Sequence, residues 1–195
     1  MRRTDEPWST RTPEGFAQLG GVALNAPTGS GIGRPERSNT IEKVVGYRFL
    51  ADLTAELLRR EIDFEVRRGD VDAYGYDIVI EARGLARHIQ LKSSYKGSTT
   101  KRQNVSVLLA ATPSGCLVWI TYDTVTYDLV SYRFLGEPPG QPLRLPEDAP
   151  VARHTRPDSS GIRPLRQNHR VAKKESMTLV HNTASVANLL FGPDR

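Results

Sequence analysis

Asp77, Gln90 and Lys92 bring a carboxylate, an amide and an ammonium into one short stretch, Tyr76-Asp-Ile-Val-Ile-Glu-Ala-Arg-Gly-Leu-Ala-Arg-His-Ile-Gln-Leu-Lys-Ser. Apolar alternation on both sides of Gly84-Leu85 predicts two antiparallel strands joined by a tight turn. With Gly84-Leu85 as a two-residue turn, facing residue numbers sum to 169, so Arg83 faces Ala86, Glu81 faces His88, Val79 faces Gln90 and Asp77 faces Lys92. A period of two places His88, Gln90 and Lys92 on one side of their strand and Ile89 and Leu91 on the other. Asp77, Gln90 and Lys92 therefore converge. Carboxylate and amide oxygens suit a hard divalent cation, and the ammonium can orient water or stabilise phosphate charge, which is the chemistry of metal-assisted phosphodiester hydrolysis. The plainer alternative is a cross-strand ion pair of Asp77 with Lys92, worth under ~1 kcal/mol. Glu81 opposite His88 reads as a hydrogen-bonded sheet pair, and Asp72 as a turn residue or an auxiliary ligand.

Other elements must hold this patch in place. Ser38 or Asn39 can cap a helix over about 40–61, whose apolar positions Ile41, Val45, Phe49, Leu53 and Leu57 recur at steps of four. At about 100° per residue from Ile41, Glu42 falls near 100° and Glu56 near 60°, inside the apolar stripe, with Asp52 at its edge. An acid on that face needs a partner or a metal. Glu42 is favoured and Glu56 held in reserve, although Glu42 could equally be a first-turn residue favoured by the helix dipole. A first strand is expected at Phe64-Glu-Val-Arg-Arg. Val105 to Ala111 is ambiguous between helix and strand. Gly115 to Tyr122 is a buried strand paired with Thr126 to Leu135, residues 137–165 are proline-rich and loop-like, and a strand at Met177 to His181 precedes a capped helix from Thr183 to Phe191.

The helix, the strand after it, Gly75-Tyr76-Asp77 opening a second strand and Gln90-Leu91-Lys92-Ser93-Ser94 on the third resemble the PD-(D/E)xK nuclease superfamily, which includes restriction endonucleases and Holliday junction resolvases. The resemblance covers about residues 40–122. It implies an α/β, restriction-endonuclease-like core with a mixed central β-sheet flanked by helices. It also implies that Asp77 is the metal-binding aspartate, that Gln90 stands at the acidic position of the signature and that Lys92 is its lysine. Glutamine there departs from the commonest pattern and removes one negative charge from the metal site. The helical carboxylate, Glu42 or Glu56, would complete the site, and Mg²⁺ or Mn²⁺ would be the cofactor.

The chain of 195 residues has Lys+Arg 27 against Asp+Glu 22, a net charge of +5 that suits a nucleic-acid partner without requiring one. Three segments follow: a Gly/Pro/Ser-rich N-terminal arm over 1–38, a nuclease-like core over 39–136, and a basic, loop-rich extension over 137–195 ending in a short helix. Arg153, Arg156, Arg163, Arg166 and Arg170 lie in a stretch with one acid, Asp158, and together with Lys96, Lys101 and Arg102 are candidates for phosphate contacts. His154 and His169 lack the spacing of a metal pair. The single cysteine, Cys116, excludes an internal disulfide, and with Trp119 it reads as core. No apolar run is long enough to span a bilayer and no apolar core follows Arg2 and Arg3, so a cytoplasmic protein is expected. The leading expectation is a divalent-metal-dependent nuclease acting on DNA, with RNA as an alternative partner, of restriction, repair or mobile-element type, with a homodimer expected if both strands are cut. The alternatives are a binding or assembly module that has lost efficient cleavage, and a protein-interaction domain of a phage or defence system.

Overall fold

The computed structural model describes residues 35–68, 74–154 and 156–194. Most of the arm over 1–38, and Asp72, lie outside the described residues. The first helix, α1 (Pro35–Arg59), begins five residues before the expected start. Proline opens a helix readily, because the amide it lacks has no intrahelical partner in the first turn. Ser38 and Asn39 are therefore inside the helix rather than capping it, and Glu42 lies beyond the first turn. Val45, Phe49, Leu53 and Leu57 are buried as their spacing demands.

Three strands follow, β1 (Phe64–Arg68), β2 (Ile78–Ala82) and β3 (Leu85–Tyr95). The ambiguous segment is both strand and helix. After β4 (Arg102–Ser106), α2 (Val107–Ala111) begins where the Ser106 hydroxyl accepts from the Leu108 amide at 3.2 Å. The chain continues through β5 (Gly115–Tyr122), β6 (Leu129–Gly136), β7 (Val151–Arg153), β8 (Leu165–Lys173), a 3-10 turn at Lys174–Ser176, β9 (Thr178–Val180) and α3 (Thr183–Phe191). The main sheet has the order β1-β2-β3-β5-β6-β9, with β3 and β5 parallel and every other pair antiparallel. This is a mixed α/β fold with a central sheet flanked by helices. Among the described residues no helix is long and apolar enough to cross a membrane.

A second sheet, of order β4-β8-β7, was not anticipated. Its central strand, Leu-Arg-Gln-Asn-His-Arg-Val-Ala-Lys, has no apolar alternation, and only Ala172 in it is fully buried. The loop-rich extension thus supplies two strands, β7 and β8, beyond the expected β9 and α3, and Val186, Ala187, Leu190 and Phe191 of α3 enter the main core. One core lies between the sheet and the α1 and α3 helices. The other, made by Val105, Leu109, Leu117, Trp119, Leu143, Ala172 and Met177, joins the main sheet to α2 and the second sheet. Cys116 and Trp119 are core residues, and the Trp119 indole donates to the Ser94 hydroxyl at 2.9 Å.

The β2–β3 register differs from the expected one. Ala82 pairs with Leu85 and Ile78 with Ile89, so the turn is Arg83-Gly84 and facing numbers sum to 167. Both turn residues have positive φ, 52° and 71°, as a two-residue turn of the hairpin-favouring hand requires. The displacement is by two residues, which preserves the face of every side chain. Continuing the ladder one step sets Asp77 opposite Gln90, with Lys92 next along the same face. Glu81 faces Ala86 rather than His88 and lies 3.5 Å from Arg67. The His88 ring nitrogen Nδ1 instead lies 2.9 Å from the Pro113 carbonyl.

Gly75 places the start of β2 against β4. Its φ is +77°, and a Cβ built there would stand 2.3 Å from the Ser106 Cβ. Gly75→Ala should destabilise the fold by about 2–4 kcal/mol, through overpacking and left-handed backbone strain together. Adding Ser106→Gly should recover the packing part and leave the backbone part, measured by urea unfolding of both variants. Equal stability of Gly75→Ala and the parent would contradict this packing.

Candidate metal and nucleic-acid site

β3 is longer than β2, so its later half passes beyond the end of that strand. A cleft of about 620 Å³ opens there. One wall is α1, contributing Asn39, Glu42 and Lys43; the floor is β2 and β3, with Asp77, Gln90, Lys92 and Ser93; the opposite wall is the second sheet, with Gln103, Asn104, Arg166 and His169; and Arg68 comes from the end of β1. The four residues singled out as a catalytic set, Glu42, Asp77, Gln90 and Lys92, all line this one cleft.

Asp77 is held by the hairpin itself. Its amide donates to the Ile89 carbonyl at 2.9 Å, and its carboxylate Oδ2 accepts from the Leu91 amide at 2.6 Å. The side chain thus continues the ladder past the last backbone pair, and a charge-assisted bond fixes its direction beside Gln90. Gln90 is 4% exposed, and its Oε1 has no hydrogen-bond partner within the protein. A buried acceptor in that condition costs about 1–3 kcal/mol, which a cation or an incoming donor would relieve. Lys92 is half-buried and Glu42 exposed at the cleft wall.

The donor set is two carboxylates and an amide, all hard oxygens, which fits a magnesium-class ion. Among the described residues no three His, Cys, Asp or Glu side chains gather where they could hold a metal without such help. The orphaned Gln90 oxygen is the observation that favours an ion here.

Glu56 does not line this cleft. It accepts from Arg59 at 2.7 Å and from Arg60 at 2.7 Å, and Arg60 reaches on to the Asn188 side chain at 2.6 Å and the Ala184 carbonyl at 2.8 Å in α3. Its place in the apolar stripe is explained by a structural role, bracing α1 on α3. The hydrogen bond from Arg59, helped by that from Arg60 and opposed by desolvation, holds its carboxyl down at about 2. Of the basic residues proposed for phosphate contact, Arg166 lines the cleft. Lys96, Lys101, Arg102, Arg153, Arg156 and Arg163 are exposed elsewhere on the surface. Arg170 is half-buried, donating to the Gln167 carbonyl at 2.8 Å.

Lys43, Arg68, Gln103, Asn104 and His169 were not foreseen as cleft residues. The pair Arg67-Arg68 ending the first strand was a usable signal, since strand ends adjoin the site. Nothing local marked the others. Arg166 and His169 share β8, three residues apart, and the guanidinium lies 3.2 Å from the imidazole Nε2. Cys116, fully buried, has its thiol pushed up to about 11 by desolvation, which makes it a poor nucleophile.

No family model matches this chain, no curated protein matches it, and no solved structure matches it. The function rests on the geometry.

Two measurements test these assignments. Glu56 titrates lower in the folded chain than its ordinary value near 4.5, so the stability it contributes is present above pH 4.5 and is lost as pH falls through about 2. Glu56→Gln should therefore weaken the protein at pH 7, with the difference from the parent shrinking towards pH 2 in denaturant titrations. Gln90→Met removes the orphaned acceptor at similar volume and should raise stability in EDTA by about 1 kcal/mol. A loss of stability would mean that the amide is a structural group.

Proposed function

We propose that this chain is a divalent-metal-dependent nuclease with a restriction-endonuclease-like core, hydrolysing phosphodiester bonds in DNA or RNA. The observation that carries the reading is the buried, unpartnered Gln90 oxygen on the floor of a cleft shared with Asp77, Glu42 and Lys92. The positive balance of that cleft supports it. Lys43, Arg68, Lys92 and Arg166 outnumber Glu42 and Asp77 around the walls, which favours a polyanion.

In this reading Asp77, Gln90 and Glu42 hold Mg²⁺ or Mn²⁺. The ion, when bound, supplies Lewis-acid polarisation of the phosphoryl group and makes water a stronger nucleophile. The protein's own groups do the positioning. The Leu91 amide keeps Asp77 aimed into the cleft, Lys92 orients the attacking water and offsets charge developing on the phosphate, and Arg166 and Arg68 hold neighbouring phosphate oxygens. The water oxygen bonds to phosphorus and gives up a proton to solvent, the bond to the leaving sugar oxygen breaks and that oxygen takes a proton from solvent, and no covalent enzyme intermediate is formed.

A second reading is a nucleic-acid-binding module on the same fold that cuts weakly or not at all. The observation that favours it is the neutral amide of Gln90, which leaves the site with one negative charge fewer than a third carboxylate would provide.

Supercoiled plasmid and single-stranded DNA incubated with Mg²⁺ or Mn²⁺ should be cut by the parent chain. Cutting should fall by about 10²–10³-fold in Lys92→Ala and in Asp77→Asn, and disappear in EDTA. Cutting that survives Lys92→Ala would defeat the assignment. Binding without cutting, together with cutting gained in Gln90→Glu, would establish the second reading.

A further inference from the structure

The cleft differs from a surface that reads duplex DNA. Duplex readers insert a convex helix or ribbon into a major groove about 12 Å wide. Here the candidate reacting groups line a concavity of about 620 Å³. The phosphate must come to them between α1 and the second sheet. A flexible strand, with its bases unpaired, can make that entry more readily than an intact duplex.

Two further features mark what would enter. At the mouth, the Arg68 guanidinium lies 4.4 Å from the centroid of the Tyr47 ring, and Tyr47 is 57% exposed. Arg68 is itself exposed and lines the cleft, so the stacked pair is an open platform beside the entrance. Aromatic rings and guanidinium planes are the groups on which unpaired bases stack. Deeper, Gln103 and Asn104 on β4 line the wall. Amides donate and accept together, as the edge of an unpaired base does. Arginines or lysines alone would serve a phosphate; adjacent amides suit a base.

We infer that the cleft takes a single-stranded polynucleotide, one base stacking on the Tyr47–Arg68 platform and another meeting Gln103 and Asn104 while the phosphate between them reaches Lys92. This rests on the reading of the cleft as a nucleic-acid site and adds the form of the substrate.

Fluorescence anisotropy with the full chain in EDTA tests it without cleavage. The probes are a labelled 20-nucleotide DNA strand, an RNA strand of the same sequence, and the duplex of each. At least one single strand should bind about tenfold or more tighter than its duplex. Tyr47→Ala should weaken that binding by about tenfold and Tyr47→Phe should keep it, because stacking needs the ring and not the hydroxyl. Gln103→Ala with Asn104→Ala should alter the ranking among oligo-dA, oligo-dC and oligo-dT. Duplex bound as tightly as single strand, or Tyr47→Ala without effect, overturns the inference. Selective single-strand binding with no cutting under any metal supports the inference and removes the hydrolytic reading. Cutting of a duplex bound as tightly as the strand does the reverse, and no binding by any probe removes both.

Discussion

The hydrogen bond from the Leu91 amide to the Asp77 carboxylate is the contact on which the candidate site depends. It lies one step past the last β2–β3 backbone pair, where the ladder would otherwise fray. By standing in for a backbone acceptor, Asp77 ties β3 to the start of β2 where β3 enters the cleft. The same bond restrains the carboxylate beside Gln90. Its geometry is inherited from the Arg83-Gly84 turn, because a hairpin's register is set at its closed end.

Around that contact the fold arranges layers of opposite character. The face towards α1 and α3 is apolar and closed along most of its length, with Phe49, Leu53, Leu57, Ile80 and Ile89 fully buried, and opens at the start of α1, where Asn39, Glu42 and Lys43 line the cleft. The other face is closed only where α2 and Trp119 fill it, and it opens into the cleft where β4 and β8 present amides, a guanidinium and an imidazole. Leaving Gln90 Oε1 without a partner is a local defect that a purely structural protein would be expected to remove. Arg87 is a second case. It is fully buried at the far side of the sheet, with the carbonyls of Glu137 and Leu189 as acceptors and no partner for its Nε. The Leu189 carbonyl lies in the last turn of α3, where the helix dipole favours a cation. Arg87 thus ties β3 to α3, whereas the buried Gln90 Oε1 has no such partner on the floor of the cleft.

The order of the first helix and the main-sheet strands was legible because each carries its own periodic signal, and so was the shared face of Asp77, Gln90 and Lys92. Glu42 and Glu56 show the limit of that reasoning. Both fall within the same helical stripe, and the helical wheel could not separate an acid at a cleft wall from one braced by Arg59 and Arg60. The distinction needs the position of α3, which supplies the Ala184 and Asn188 partners of Arg60.

The sequence by itself determined α1 and its buried face, the strand succession from Phe64 to Tyr95, the buried strand Gly115–Tyr122 and the C-terminal helix, since these follow from side-chain period and local backbone preference. Only the tertiary structure decided the hairpin register, through positive φ at Arg83 and Gly84, and the far wall of the cleft. That wall comes from pairing Arg102 with Lys173 and Ser106 with His169. Such pairing is made by backbone hydrogen bonds between distant polar segments and secured by a few shared core contacts, so no local pattern in either segment announces it.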